Sequence, residues 1–216
     1  MKSWRIWLVC AMILVAGALI YFRRSSLNSI QPYEGTELTG EAPNFQLTDQ
    51  HGSVIKLSDF RGKVIVLTFM DSKCKDTCPL TAAQLRLAYQ QLDQNEASQV
   101  AFIGVNVNVK ANGIADVYEI SKTWHLDEVP IWYFLTGNRD DLEHVWQEYH
   151  IAVEPSPDSQ NEEILHTPGI YIIDPSGQER WYISTPFSAE GNAEWILPLS
   201  DLLVSHIHEI LGENKH

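Results

Sequence analysis

The stretch Lys63-Val-Ile-Val-Leu-Thr-Phe-Met70 constrains this chain more than any other segment. It is a nearly continuous apolar run of strand length without polar alternation, so it reads as a central strand buried on both faces. Such a strand needs a covering layer on each side, and the flanking sequence supplies both. A helical pattern covers Pro79 to Leu92, a strand Val100 to Val107, a helix roughly Ala115 to Trp124, a strand Ile131 to Leu135 and a helix Arg139 to Tyr149. Upstream, Ala42 to Asp49 and Ser53 to Leu57 flank Gln50-His51-Gly52 as a hairpin. Downstream, the polar stretch Glu154 to Glu163 reads as a surface loop or an insertion. Gly169 to Ile173 and Glu179 to Ile183 then flank Asp174-Pro-Ser-Gly-Gln178 as an antiparallel hairpin, and Ala193 to Leu211 reads as a closing helix. This order predicts an α/β fold with a mixed central sheet flanked by helices on both faces. No internal repeat is present.

Charge and hydropathy divide the chain. Its 216 residues carry a net charge of −13, which leaves no positive field for a phosphate backbone and excludes nucleic-acid binding as the main function. Residues 1–24 hold Lys2, Arg5, Arg23 and Arg24 and no acid, so the acidity belongs to the remainder. Between these charges, Ile6 to Phe22 is an apolar run of seventeen residues with Trp4 and Trp7 at one end and Tyr21 and Phe22 at the other. At the helical rise it spans about 25 Å, enough for a membrane helix with aromatic ends near the interfaces. The competing reading is a cleaved signal peptide with Ala16-Gly17-Ala18 as the cleavage site. An uncleaved anchor over 1–24 fits better, because apolar residues continue past Ala18 up to Arg23-Arg24. Residues 25–40, with Pro32, Gly35 and Gly40, read as a flexible linker, and 41–212 as the folded domain.

Three cysteines allow at most one bridge and one leftover. Cys10 falls in the apolar segment, preceded by Val9 where a lipid-attachment cysteine follows a small residue, and reads as a buried thiol. The working pair is Cys74 and Cys78, in Asp71-Ser-Lys-Cys74-Lys-Asp-Thr-Cys78-Pro79. This turn lies between the buried strand and the first long helix, at the carboxyl end of a strand, where open α/β sheets place their sites. Pro79 suits a first helical turn, so the unpaired N–H groups there, with Lys73 and Lys75, are expected to stabilise thiolates. Thiolates attack disulfides and bind soft metals, and the pattern favours both chemistries. The i, i+4 spacing points both sulfurs to one side of a helical turn, where they can meet one ion.

From Gly40 to about Ile183 the sequence resembles the Sco/SenC family of thioredoxin-like, membrane-tethered copper proteins that assist cytochrome c oxidase assembly. Four features carry the resemblance: Ala42-Pro-Asn-Phe45, Leu57-Ser-Asp-Phe-Arg-Gly-Lys-Val64, Cys74-x-x-x-Cys78-Pro79, and His166-Thr-Pro-Gly-Ile-Tyr-Ile-Ile-Asp-Pro-Ser-Gly177. The resemblance implies a thioredoxin-like fold and copper held by Cys74, Cys78 and His166. It also implies delivery of that copper to an oxidase subunit on the extracytoplasmic side of a membrane. Two thiolates and an imidazole form a soft set suited to Cu(I), with enough nitrogen character for Cu(II). Zinc in a structural site would want a fourth protein ligand, and the sequence offers none.

Two segments depart from the family pattern. Met70-Asp71-Ser72-Lys73 stands where an aromatic, glycine-bearing stretch is usual. Asn106-Val-Asn-Val-Lys-Ala-Asn-Gly113 replaces an acidic, Asp-Pro-bearing one. Pro168 also resembles the cis proline that faces the cysteine pair of TlpA-like reductases. The alternative reading is therefore a thiol-disulfide oxidoreductase acting on extracytoplasmic thiol proteins through Cys74 and Cys78. A peroxidase fits poorly, because neither cysteine has the Thr or Ser three residues upstream that peroxiredoxins use. His206 and His208 lie two apart on the closing helix and read as solvated. His125, His144 and His150 read as helix-end or helix-face residues, and Trp124, Trp132, Trp146, Trp181 and Trp195 as core.

Overall fold

In the computed structural model the described residues are 12, 17, 35–155, 164–184 and 198–213. The chain divides into two units. Of the first, Met1–Tyr33 with Glu190–Leu197, only Met12 and Gly17 are described, both helical. Apart from Met12 and Gly17, the anchor over 1–24 lies outside the described residues, as do the first part of the linker, the tip of the 154–163 loop and the start of the closing helix. Among the described residues no helix is long and apolar enough to cross a membrane.

The second unit is built around the expected central strand. In chain order its elements are β1 (Thr36–Glu37), β2 (Gln46–Thr48), β3 (Val54–Lys56), a 3-10 turn (Leu57–Phe60), β4 (Val64–Met70), α1 (Thr77–Gln91) and α2 (Gln94–Ser98). There follow β5 (Val100–Asn106), α3 (Ile114–Thr123), β6 (Trp132–Leu135), α4 (Arg139–Glu148) and β7 (Val153–Pro155). The last are β8 (Ile164–His166), β9 (Ile170–Ile173), β10 (Glu179–Ile183) and α5 (Leu199–Glu213). The main sheet runs β1-β10-β9-β4-β5-β6. Strands β4, β5 and β6 are parallel, while β9, β10 and β1 add on antiparallel, which gives the mixed sheet.

Every residue of β4 and β5 is buried, and the pleat sends alternate side chains to opposite layers. Ile65, Leu67 and Phe69 of β4 join Ile103 and Val105 of β5 in one core with Leu142, Val145 and Trp146 of α4 and Phe45 and Leu47 of the β2–β3 hairpin. Helices α1 and α5 pack against each other, with α5 also against β4. They bury Ala82, Leu85 and Ala88 and Leu203, Ile207 and Ile210. The hairpin is tied to the far edge of the sheet by reciprocal bonds between the Thr48 and Thr136 backbones, 2.8 and 2.7 Å.

Three features differ from the sequence expectation. The segment read as a linker already enters the sheet, because β1 pairs with β10. The short helix α2 is an addition, capped by Asp93, whose side chain accepts from the Glu96 amide at 2.8 Å. The polar 154–163 stretch has ordered flanks: β7 and β8 form a two-stranded ribbon outside the main sheet. Its ends are apolar, and Val153 and Ile164 pack against the core, which gives the ribbon a footing that polarity alone does not reveal.

Candidate functional site

The cysteine turn is shaped by the start of α1. Asp76 at the N-cap makes no side-chain capping bond. Instead the Cys74 sulfur takes the acceptor's place, receiving the Cys78 amide at 3.4 Å and lying 3.7 Å from Thr77 Oγ1. An orphan N–H at a helix start thus points at sulfur, where the positive end of the peptide dipoles favours negative charge. Upstream, the Cys74 amide donates to the Asp71 carbonyl at 3.0 Å, which closes the turn leading out of β4.

Both cysteines are in the dithiol form, Cys74 partly exposed and Cys78 buried. The two sulfurs divide one charge. The hydrogen bond from the Cys78 thiol is the main cause that draws Cys74 down to about 5, with the Cys78 and Asp76 backbone and Thr77 adding to it against the cost of burial. Cys78 is pushed up by the same contact with Cys74 and by its own burial. At neutral pH the pair is one accessible thiolate and one buried thiol.

Lys73 and Lys75 are not among the main causes that stabilise the thiolate. Lys73 Nζ lies 3.4 Å from Asp116 Oδ1 on α3, and the stabilising groups on Cys74 are local N–H, O–H and S–H donors. The exposed side of the turn opens on a groove of about 670 Å³, whose walls include Lys73, Cys74, Pro79, Ile120 and Trp124.

His166 is the last residue of β8, opposite Val153, so it lies on a strand and not merely before one. Its Nδ1 is 3.1 Å from the Thr167 carbonyl oxygen. A carbonyl can only accept, so Nδ1 carries the proton and Nε2 keeps its lone pair. Burial lowers the imidazole's proton affinity, opposed by the Thr167 carbonyl and by the negative charges of Cys74 and Asp71. The ring is thus held neutral and within electrostatic reach of the thiolate.

The three sequence-predicted residues are therefore not equally assembled. Cys74 and Cys78 are in contact, whereas among the described residues no three Cys, His, Asp or Glu side chains stand together closely enough to hold an ion. The donor chemistry fits a soft cation: one thiolate, one thiol and one neutral imidazole with Nε2 as the donor. The Thr167–Pro168 peptide is trans, unlike that of the reductases Pro168 resembles. His206, expected to be solvated, is buried and stacks on Trp181 at 4.3 Å, because α5 turns this face onto the sheet. His208 remains half exposed, 3.1 Å from Glu96. His125 and His150 follow α3 and α4 with positive φ of 56° and 54°, as helix-terminating residues do.

Sequence reasoning missed a buried polar layer beneath the turn. Asp71, Ser72, Asn106 and Asn108 are all buried and linked by hydrogen bonds. Its only signal was the departure of Met70-Asp71-Ser72-Lys73 and Asn106–Gly113 from the aromatic, glycine-bearing and acidic stretches usual in the family.

Comparison with known proteins identifies the fold and the family. An SCO2-like protein of Rickettsia typhi is 24% identical over 201 residues, covering 89% of this chain and 96% of its own. The crystal structure of Arabidopsis thaliana ScoI with copper bound superposes with a TM-score of 0.66 at 18% identity, over 81% of this chain and 99% of that one. BsSco, described as a Sco-family cytochrome c oxidase assembly protein with a disulfide switch, gives 0.62 at 19% identity over 83% and 97%. These structures share the fold, and the SCO1/SenC family model matches residues 34–197, a span that holds the main sheet, the dithiol turn and the histidine ribbon. The chain belongs to the SCO1/SenC family.

Proposed function

We propose that this protein binds copper through Cys74, Cys78 and His166 and delivers it during cytochrome c oxidase assembly, to the oxidase's copper-binding subunit. In this reading residues 1–24 anchor it in a membrane and its folded domain faces the extracytoplasmic side. The observation that carries the reading is the Cys74 thiolate hydrogen-bonded to the Cys78 thiol at the head of α1, with an imidazole nearby whose Nε2 is the available donor. Copper(I) accepts two sulfurs and one nitrogen in a low-coordinate arrangement. Binding would displace the Cys78 proton and bring His166 toward the sulfurs, and a partner entering the groove beside Cys74 could take the ion by ligand exchange. Arabidopsis ScoI has been solved with copper bound, which supports this choice of ion.

The test is anaerobic Cu(I) titration of the reduced protein against a strong competing chelator, repeated with His166→Ala. A tight one-to-one site weakened by the substitution is the expected result. Absence of such a site, or indifference to the substitution, sinks the three-ligand model.

A second reading is favoured by the asymmetry of the pair, an accessible thiolate before a buried thiol. In a disulfide reduction Cys74 attacks one sulfur of a partner disulfide, forming a mixed disulfide and releasing the partner's other sulfur as a thiolate. Cys78 then loses its proton and attacks Cys74 Sγ. The partner leaves as a dithiol and this chain keeps a Cys74–Cys78 disulfide, two electrons having moved to the partner. A reduction potential near that of reducing thioredoxins, with turnover on a protein disulfide, would select this reading.

A further inference from the structure

The two departures from the family pattern meet at one side chain. Asp71, the first residue after β4, is fully buried. A carboxylate in that setting needs its oxygens occupied, and here three N–H groups converge on it. Oδ1 accepts from Asn108 Nδ2 at 2.8 Å and from the Lys73 amide at 2.8 Å, and Oδ2 accepts from the Ile164 amide at 2.9 Å.

These donors come from three segments far apart in sequence. Lys73 belongs to the dithiol turn, Asn108 to the loop after β5, and Ile164 opens β8. Asn108 is held in turn by Asn106, whose Oδ1 accepts the Asn108 amide and whose Nδ2 donates to the Asn108 carbonyl, both at 3.1 Å. The ribbon has its own root: the Thr167 amide donates to the Ala152 carbonyl at 2.9 Å, and the Ala152 amide to Thr167 Oγ1 at 3.0 Å. The Ala152–Thr167 root and the packing of Val153 and Ile164 hold the ribbon against the core. The bond from Ile164 to Asp71 is the hydrogen bond that ties the ribbon to the residue leading into the cysteine turn.

We propose that Asp71 is a positioning residue that latches the β7–β8 ribbon onto the dithiol turn and so presents His166, two residues beyond Ile164, to the cysteine sulfurs. The inference rests on the three-ligand reading for its consequence but not for its geometry. The carboxylate suits this task because it accepts on both oxygens, whereas an amide of the same shape accepts on one and donates on the other. In Asp71→Asn, keeping Oδ1 on Asn108 and Lys73 turns the NH2 group against the Ile164 N–H, and the latch is lost without a change of volume.

The experiment has two arms on the reduced full-length chain. In metal-free Asp71→Asn protein, amide hydrogen exchange at Ile164 and His166 should quicken about tenfold, the equivalent of one lost hydrogen bond, while the β4 and β5 amides keep their protection. In Cu(I) competition titrations the same substitution should weaken binding about tenfold, and this loss should vanish in a His166→Ala background. Unchanged ribbon exchange overturns the latch. A copper loss of equal size with and without His166 overturns positioning in favour of a general structural role. If His166→Ala alone leaves copper binding untouched, the three-ligand reading fails while the exchange arm still decides the latch. Should Asp71→Asn lose its cooperative melt, Ile164→Pro removes the same N–H from the ribbon side and is read in the same two ways.

Discussion

The dithiol turn and the histidine ribbon are both needed for the proposed site, yet they are built by opposite means. The cysteines are four residues apart at a helix start, and one turn of backbone brings the sulfurs together. Their frame is β4 and α1, part of the main core. His166 comes 88 positions after Cys78 on a ribbon outside the main sheet, and its position depends on tertiary ties at Ala152, Thr167 and Asp71 and on the packing of Val153 and Ile164. The contrast teaches that one proposed ligand set can be assembled half by local backbone geometry and half by tertiary contacts.

The largest expected effect separates the two sulfurs. Iodoacetamide added to the reduced protein at pH 7 should modify Cys74 and leave Cys78 intact, and the Cys74 rate should rise through a midpoint near 5. Peptide mass mapping against pH would show it, and equal labelling of both cysteines would break the claim that they share one charge. The same titrations act on stability. Cys74 is depressed from 9.0 to about 5, so its contribution grows as pH rises from about 5 to 9 and is lost as pH falls through 5. Cys78 is raised above the ordinary thiol value of 9.0, so its contribution is complete below 9 and declines above it. Urea midpoints of the reduced protein should therefore gain from this pair up to about pH 9, and Cys74→Ser should remove the gain.

A smaller effect, spread over the whole domain, comes from the frame. Leu85 is fully buried in α1, and Leu85→Ala should cost about 3 kcal/mol of global stability through lost burial and a residual cavity. Urea unfolding would measure it, and a loss below about 1 kcal/mol would show that the site collapses to fill the void. The smallest effect belongs to the ribbon root. Thr167→Ala removes the acceptor of the Ala152 amide and should cost about 1 kcal/mol. That cost should be seen as faster exchange of the ribbon amides with little change in the global midpoint. If Thr167→Ala lowered global stability as much as Leu85→Ala, the ribbon would be part of the core and the contrast would fail.

Much of this was legible in the sequence because it is local or periodic. The unbroken apolar run at 63–70 announced a strand covered on both faces, and the alternation after it announced parallel strands with helical crossovers. Cys74 and Cys78 could be paired because an i, i+4 spacing before Pro79 leaves little choice. The cause of the low thiol pKa was legible in part: the N–H groups at the helix start act on Cys74 as their position before Pro79 implies, whereas the Cys78 thiol, the largest cause, becomes a donor only when the turn is folded. His206 was misread for a similar reason: its exposure depends on which side of α5 meets the sheet, and Trp181, on which it stacks, is 25 positions away.

The sequence by itself determined the layered α/β class, the acidic character of the folded domain, and the dithiol with its helix, since each follows from short-range periodicity, composition or spacing. Only the tertiary structure decided what lies beneath and beside that dithiol. Folding brings Asp71, Asn108 and Ile164 together from three distant segments, hides a carboxylate from water and gives it three N–H donors. The His166 tautomer is fixed by a carbonyl one residue away, but the ring's reach toward Cys74 depends on the ribbon's attachment. Burial and long-range hydrogen bonding are properties of the closed chain, and no residue carries them before its partners arrive.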